Sequence, residues 1–250
     1  MISTRFLQTL SICALGFSLM ACSTTEQTSG VNDPFEGANR AVFAFNTAVD
    51  DAVIEPVIEG YQAVTPKPAR SGLRNFLRNL KTPVNFANQA LQGDVEGAKN
   101  VALRATINTF VGGLGLFDVA GYEGIEYEPE DFGQTLAVWG LGHGPYFVVP
   151  FFGPSSARDG VGFAVDGIAD PLNFYVDNIG EESLAVYRSG LGYVDLRDSL
   201  HDVLRDLQKN SFDYYAATRS AYYQRRDALA MDLASGQSVG ASAGGFDDIY

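Results

Sequence analysis

The sequence predicts an all-α protein built as a single domain, and three observations carry that prediction. Helix start signals recur along the chain, each followed by apolar residues at helical spacing. No stretch alternates apolar and polar residues over the length of several strands, and no interior linker or repeat divides the chain. With 250 residues, 46% of them hydrophobic and 19% charged, the chain can bury one core without staples and is too apolar to be disordered throughout.

The first segment precedes the domain. Arg5 is the only charged side chain before Glu26, and the stretch between them is apolar and ends on small residues. That is the pattern of a secretory signal over residues 1–21, too short for a stable membrane span. Its end, Leu19-Met20-Ala21-Cys22, resembles a bacterial lipobox, which implies cleavage before Cys22 and a diacylglyceryl anchor on its thiol. Cys13 is discarded with the signal. Ser23, rather than Asp, follows the anchor, which by the same resemblance favours the outer membrane. Residues 22–32 read as a lipidated polar tether.

The helical domain is predicted over residues 33–231. Asp33-Pro34-Phe35-Glu36 supplies an N-cap, a proline at the first helical position and an acidic first turn. Phe35, Val42, Phe45, Val49 and Val53 follow on one face. Thr65-Pro66-Lys67-Pro68 opens a second helix with Leu73, Phe76, Leu77 and Leu80 as its apolar face. Thr82-Pro83 caps a third, which Gly93 ends, and Asp94 starts a fourth whose small residues Ala98, Ala102, Ala105 and Thr109 form a stripe. Helical patterning returns from Glu181 to Met231 with a break near Asn210-Ser211. Residues 232–250 are a low-complexity Gly/Ser/Ala tail, predicted to be disordered.

The middle of the chain has a different character. Gly112-Gly113-Leu114-Gly115-Leu116-Phe117 is apolar and glycine-rich. An acidic cluster follows (Asp118, Glu123, Glu126, Glu128, Glu130 and Asp131) without the spacing of a calcium loop, and it reads as a solvated acidic loop. From Phe132 to Ala157 there is no Asp, Glu, Lys or Arg, yet glycines and prolines interrupt the stretch too often for a spanning helix. Its apolar peak, Tyr146-Phe147-Val148-Val149-Pro150-Phe151-Phe152, is either a buried hairpin or loop, or a segment seated in a membrane or lining a cavity.

Charge and rare residues exclude several functions. A net charge of −13 argues against a nucleic-acid partner. Two Cys and two His leave no cofactor cluster or metal centre to expect. Gly236-Gln237-Ser238-Val239-Gly240 matches a nucleophile-elbow spacing only inside the tail. Ser155, Asp159 and His143 can be imagined as a hydrolase set, but Ser155 reads better as a helix N-cap and His143 as a loop residue. Lys67, Arg70, Arg74, Arg78 and Lys81 share one helix face. That face is either solvated, paired with the abundant carboxylates, or directed at lipid head-group phosphates.

Asp33-Pro-Phe-Glu-Gly-Ala-Asn-Arg40 followed by Phe43-Ala-Phe-Asn46 resembles the opening of the MlaA (VacJ) lipoproteins. Asn79-Leu-Lys-Thr-Pro-Val-Asn85, Gly115-Leu-Phe-Asp118, Glu130-Asp-Phe-Gly-Gln-Thr-Leu136 and Gly153-Pro-Ser-Ser-Ala-Arg-Asp159 continue the resemblance in family order. It implies a ring-shaped helical outer-membrane lipoprotein with a central amphipathic channel. Such proteins take mislocalised phospholipid from the outer leaflet to a soluble periplasmic carrier and associate with trimeric porins. On this reading the channel or membrane belt is sought among Phe45, Asn46, Leu114, Leu116, Phe117 and Tyr146–Phe152. The head group would meet Arg70, Arg74 and Arg78. A lipid-modifying hydrolase and a structural porin adaptor are the competing readings.

Overall fold

The computed structural model describes residues 33–235. Among them every regular element is helical except one two-stranded hairpin. Helix α1 (Glu36–Val49) passes through a single π-helical turn (Asp50–Ile54) into α2 (Glu55–Val64). Pro56 explains where the turn falls. It has no N–H to donate and its ring crowds the carbonyl four residues back, and the helix widens just before it. Asp33 does not cap α1, which has no side-chain cap bond. Its carboxylate instead accepts from Asn39 Nδ2 (2.8 Å), Tyr215 Oη (2.5 Å) and Arg219 Nη1 (2.6 Å). A charge-assisted bond to a guanidinium is stronger than a capping bond, so α1 begins later than the sequence signal.

Helix α3 (Lys67–Gln92) runs unbroken through Pro83, where the sequence predicts a boundary. The second half is held in place by tertiary bonds: Asn88 Nδ2 donates to Asp166 (3.0 Å) and Asn88 Oδ1 accepts from Thr135 (2.8 Å). Gly93 ends the helix in the left-handed conformation, φ +82°, which glycine adopts without strain. Helix α4 (Val95–Phe110) is capped as predicted, with the Asp94 carboxylate accepting from Gly97 N at 2.9 Å. Its buried face is Ala98, Val101, Arg104 and Asn108; Ala102 is exposed. The helix is rotated from the small-residue stripe because Arg104 and Asn108 both turn inward to bond Asp118.

After the short helices α5 (Val119–Tyr122) and α6 (Phe132–Val138) comes the hairpin, β1 (Tyr146–Val149) and β2 (Gly153–Ser156). Tyr146 lies opposite Ser156 and Val149 opposite Gly153. Helix α7 (Ala157–Ala169) is capped by Ser156, one residue beyond the predicted Ser155. It packs so closely on α6 that a Cβ on Gly162 would strike the backbone of Gly133. Helix α8 (Pro171–Asn178), the long α9 (Glu182–Asn210) and α10 (Tyr214–Ser235) complete the described chain. The break between α9 and α10 falls where the sequence places it, and α10 continues past Met231.

Polar and apolar residues are distributed in an unusual way. The apolar core is small: Tyr146, Val148, Tyr215 and Tyr222, with Val42, Phe43 and Tyr223 against it. Buried positions are instead rich in Asn39, Asn85, Asn88, Gln89, Arg104, Arg158, Arg197 and Arg226. Meanwhile Phe110 is 84% exposed and Tyr122 88%, and Leu114, Phe117, Phe163, Ile168 and Phe174 also stand outside. A chain surrounded only by water places these classes the other way round.

Candidate functional site

The site is built on α1. Asn39 and Asn46 are seven residues apart, so they lie two turns apart on one face, about 10.5 Å along the axis. Three strand residues cover nearly the same length. Both asparagines therefore bond to the hairpin as a neighbouring strand would. Asn39 Oδ1 accepts from Val148 N (3.0 Å) and its Nδ2 donates to Tyr146 O (3.1 Å). Asn46 Nδ2 donates to Val149 O (3.0 Å) and its Oδ1 accepts from Phe151 N (2.8 Å). The free edge of β1 is thereby satisfied by side chains.

Strand alternation then sorts the apolar peak. Tyr146 and Val148 point into the core against Tyr215 and Tyr222. They are core residues, not wall or belt, which corrects the expectation for these two. Phe147 is half-buried beneath α7, with its ring tip 3.0 Å from where a Gly160 Cβ would sit, and Val149 is also half-buried. Phe151, held at φ +68° by the Asn46 bond, and Phe152 are exposed at the turn. Phe45 stacks edge-on against Phe151 at 5.5 Å, and Phe152 meets Phe163 and Tyr193.

Below this turn opens a cavity whose empty space, including its mouth, is about 1250 Å³. One wall is the apolar stripe of α9: Leu196, Leu200, Val203, Leu204 and Leu207. Phe43, Val49, Ile54, Phe151, Phe152 and Tyr214 extend it. Polar groups join the lining at Asn46, Thr47 and Asp50 from α1 and its π turn, and at Arg197 and Gln208 from α9 itself. Such a space accepts a molecule with both apolar and polar parts.

A family model for the MlaA lipoprotein matches residues 31–229. This chain belongs to the MlaA lipoprotein family. It is 36% identical over 228 residues to the intermembrane phospholipid transport system lipoprotein MlaA of Escherichia coli K12, covering 88% of each chain. It is 33% identical over 204 residues to the protein of the same description from Haemophilus influenzae, covering 80% of each. A solved structure described as "Structural basis for maintenance of bacterial outer membrane lipid asymmetry" aligns with a TM-score of 0.70 at 33% identity. That alignment covers 80% of this chain and 100% of the other.

In this MlaA-family chain the remaining predicted residues take other places. Leu114, Leu116 and Phe117 are exposed on the loop after α4 and are not among the cavity's lining residues. Asn79 and Asn75 of α3 donate to the carbonyls of Leu114 and Leu116, so the loop's backbone is satisfied while its side chains stay outside. The three arginines of the α3 basic face are half-buried, while Lys67 and Lys81 are exposed. Arg70 pairs with Asp198 at 2.5 Å, and Arg74 with Asp195 (3.2 Å) and Asp198 (3.5 Å). Arg78 lies over the Tyr127 ring at 4.5 Å, and burial pushes its pKa down. Of the three readings offered for this face, pairing with carboxylates describes Arg70 and Arg74. The sequence shows a run of cations; the carboxylates that meet it come from α9, more than a hundred residues later.

The imagined hydrolase set is likewise dispersed among other partners. His143 Nε2 bonds Asp227 at 2.6 Å, Ser155 donates to the Ser156 carbonyl, and Asp159 receives Arg226, Arg158 and the Tyr222 hydroxyl. Cys22 and the Gly236–Gly240 match lie outside the described residues. One group of possible metal ligands, Glu55, Glu59 and His201, already faces the Arg205 guanidinium at 3.3–3.4 Å.

The acidic cluster is not the solvated loop that its composition predicts. Glu123 and Glu126 are exposed, but three members are structural. Burial pushes the Asp118 carboxyl up, yet bonds from Arg104 and Asn108 outweigh it and hold it below the usual range. Asp131 is held low in the same way by Arg226. Glu130 accepts from the Gln92 amide (2.8 Å), and burial pushes its pKa up to about 8. Between about pH 4.5 and 8 the folded protein therefore keeps a proton that the unfolded chain releases, and stability falls as pH rises through that window. Glu130→Gln removes the fall. The variant is expected to melt above wild type at pH 8.5, by an amount on the order of a few kcal/mol at about 1.4 kcal/mol per pKa unit. The two should melt alike near pH 4.5 in thermal scans.

Proposed function

We propose that this chain is the outer-membrane lipoprotein of an intermembrane phospholipid transport system. It takes mislocalised phospholipid from the outer leaflet and passes it to a periplasmic lipid carrier, without chemistry on the lipid. The observation that carries this reading is the amphipathic cavity, set in a protein that buries arginine and exposes phenylalanine. A two-chain lipid cannot cross water with its chains exposed, nor an apolar wall with its head group bare. A space lined by the α9 leucines together with the polar groups of Asn46, Asp50 and Arg197 meets both demands.

The exposed apolar residues supply the seat. Phe110, Leu114, Leu116, Phe117, Phe163 and Phe174 would lie in hydrocarbon, and Trp139, Tyr175 and Tyr187 at the head-group level. No described helix is long and apolar enough to cross a membrane. Diacylglyceryl attachment at Cys22 would anchor it there. A trimeric porin beside the belt and a soluble carrier below it complete the path.

The test is to purify the full-length lipoprotein from membranes in mild detergent and identify what leaves with it. Intact phospholipid at near-stoichiometric level is expected, together with a rise of surface phospholipid in a strain lacking the gene. Lyso-lipid in its place would favour the hydrolase. An empty protein and an unchanged surface would overturn the proposal.

A further inference from the structure

One charged pair in the cavity wall is unequally placed. Arg197 of α9 reaches Asp50 on the π turn with Nε to Oδ1 at 2.7 Å and Nη2 to Oδ2 at 2.6 Å. Both residues line the cavity. The Arg197 side chain is 7% exposed, that of Asp50 25%. A guanidinium fixed in the wall must face an anion at all times, because an unpaired buried charge is costly. The carboxylate is under no such obligation, since it can turn to water. Its backbone also lies at a local seam: Glu55 N donates to the Asp50 carbonyl five residues back, in a turn that carries one residue more than the helix on either side.

We propose that Arg197 binds the phosphate of a phospholipid head group inside the cavity, and that Asp50 is the internal anion holding that place while the protein is empty. The proposal rests on the transport reading above and assigns its head-group contact. A phosphodiester offers two oxygens to the same planar fork that the carboxylate now fills. Leu200, Val203, Leu204 and Leu207 continue from Arg197 along α9 for about 15 Å, so an acyl chain can follow directly from the phosphate. Arg197 is never left bare in the exchange, because Asp50 leaves as the phosphate enters. The return of Asp50 weakens lipid binding, which suits a protein that must give its cargo away. His201, whose Nδ1 lies 3.4 Å from Arg197 Nη1, keeps the guanidinium in place from the same helix.

The test compares wild type, Asp50→Asn and the double variant Asp50→Leu/Arg197→Leu, which removes both charges together. Full-length protein in non-ionic detergent is titrated with phosphatidylethanolamine, with diacylglycerol carrying the same chains, and with inorganic phosphate. Wild type is expected to prefer phosphatidylethanolamine over diacylglycerol by about tenfold, as one charged fork allows. Asp50→Asn should bind phosphatidylethanolamine more tightly than wild type, and the double variant should hold both lipids alike. A double variant that keeps the wild-type preference overturns the assignment and leaves the transport reading intact. Stabilisation of Asp50→Asn by inorganic phosphate as strongly as by phosphatidylethanolamine overturns the lipid as the anion's source. Wild type that binds neither lipid overturns both readings.

Discussion

Arg226→Ala is expected to cost about 3–5 kcal/mol of stability, the range for breaking a buried pair by removing one partner. Arg226 is 2% exposed. Its Nη1 and Nη2 bond the two oxygens of Asp131 at 2.6 and 2.9 Å, and Nη2 also reaches Asp159 at 3.0 Å. Alanine leaves the Asp131 carboxylate without its guanidinium, and Asp159 keeps Arg158 (2.9 Å) but loses its second cation. The damage also reaches local structure, because Asp131 caps α6 through Gln134 N (2.8 Å), and Asp159 receives the Tyr222 hydroxyl from α10. In wild type both carboxyls are held below their usual range, so their contribution is present at neutral pH and fades as pH falls. The gap between wild type and variant should therefore narrow as both are acidified. Chemical denaturation at pH 7 and pH 4 measures both; a loss below about 1 kcal/mol at pH 7 contradicts the structure of this cluster.

Leu204→Glu is expected to empty the cavity while leaving the fold in place. Leu204 is half-buried in the α9 stripe, so in the unloaded protein a carboxylate there is hydrated through the open mouth. An acyl chain entering the cavity would strip that water, at a cost of several kcal/mol without a partner. Bound phospholipid should fall by more than tenfold, with the melting temperature nearly unchanged and Leu204→Met behaving as wild type. A structural adaptor that never holds lipid would retain its function in Leu204→Glu. Val148 cannot serve in the same experiment. It lies in the core between the hairpin and α10, and a charge there unfolds the domain.

The helices were legible where their ends are local. Asp94 before Val95, Gly93 after Gln92 and the break near Ser211 all appear where the chain predicts them, because each is decided within a turn or two. The prediction fails where a distant partner outbids the local one. Asp33 leaves its helix for Arg219, and Pro83 stays inside α3 because Asn88 is tied to Thr135 and Asp166. The cavity was partly legible: Asn46, Phe151 and Phe152, singled out in the sequence, are among its lining residues. The α9 leucines were missed, although their spacing at 196, 200, 203, 204 and 207 marks a helix face. Asn39 and Asn46 carry a similar unread signal in their seven-residue spacing.

Composition and patterning by themselves determined a helical, acidic chain with an uncharged middle, two Cys and two His. The family came from a different signal, the resemblance of motifs such as Asp33–Arg40 and Gly153–Asp159 that lie in family order along the chain. Only the tertiary structure decided which apolar residues face inward. Tyr146 and Phe152 belong to the same apolar run in sequence, but strand alternation and the Asn39 and Asn46 bonds send one to the core and the other to the cavity mouth. It also decided that Arg70 and Arg74 of α3 are paired with Asp195 and Asp198, while Arg197 lines the cavity paired with Asp50. Hydrophobicity and helical period are properties of a segment. Which charge meets which is a property of segments brought together, and no single stretch of chain contains it.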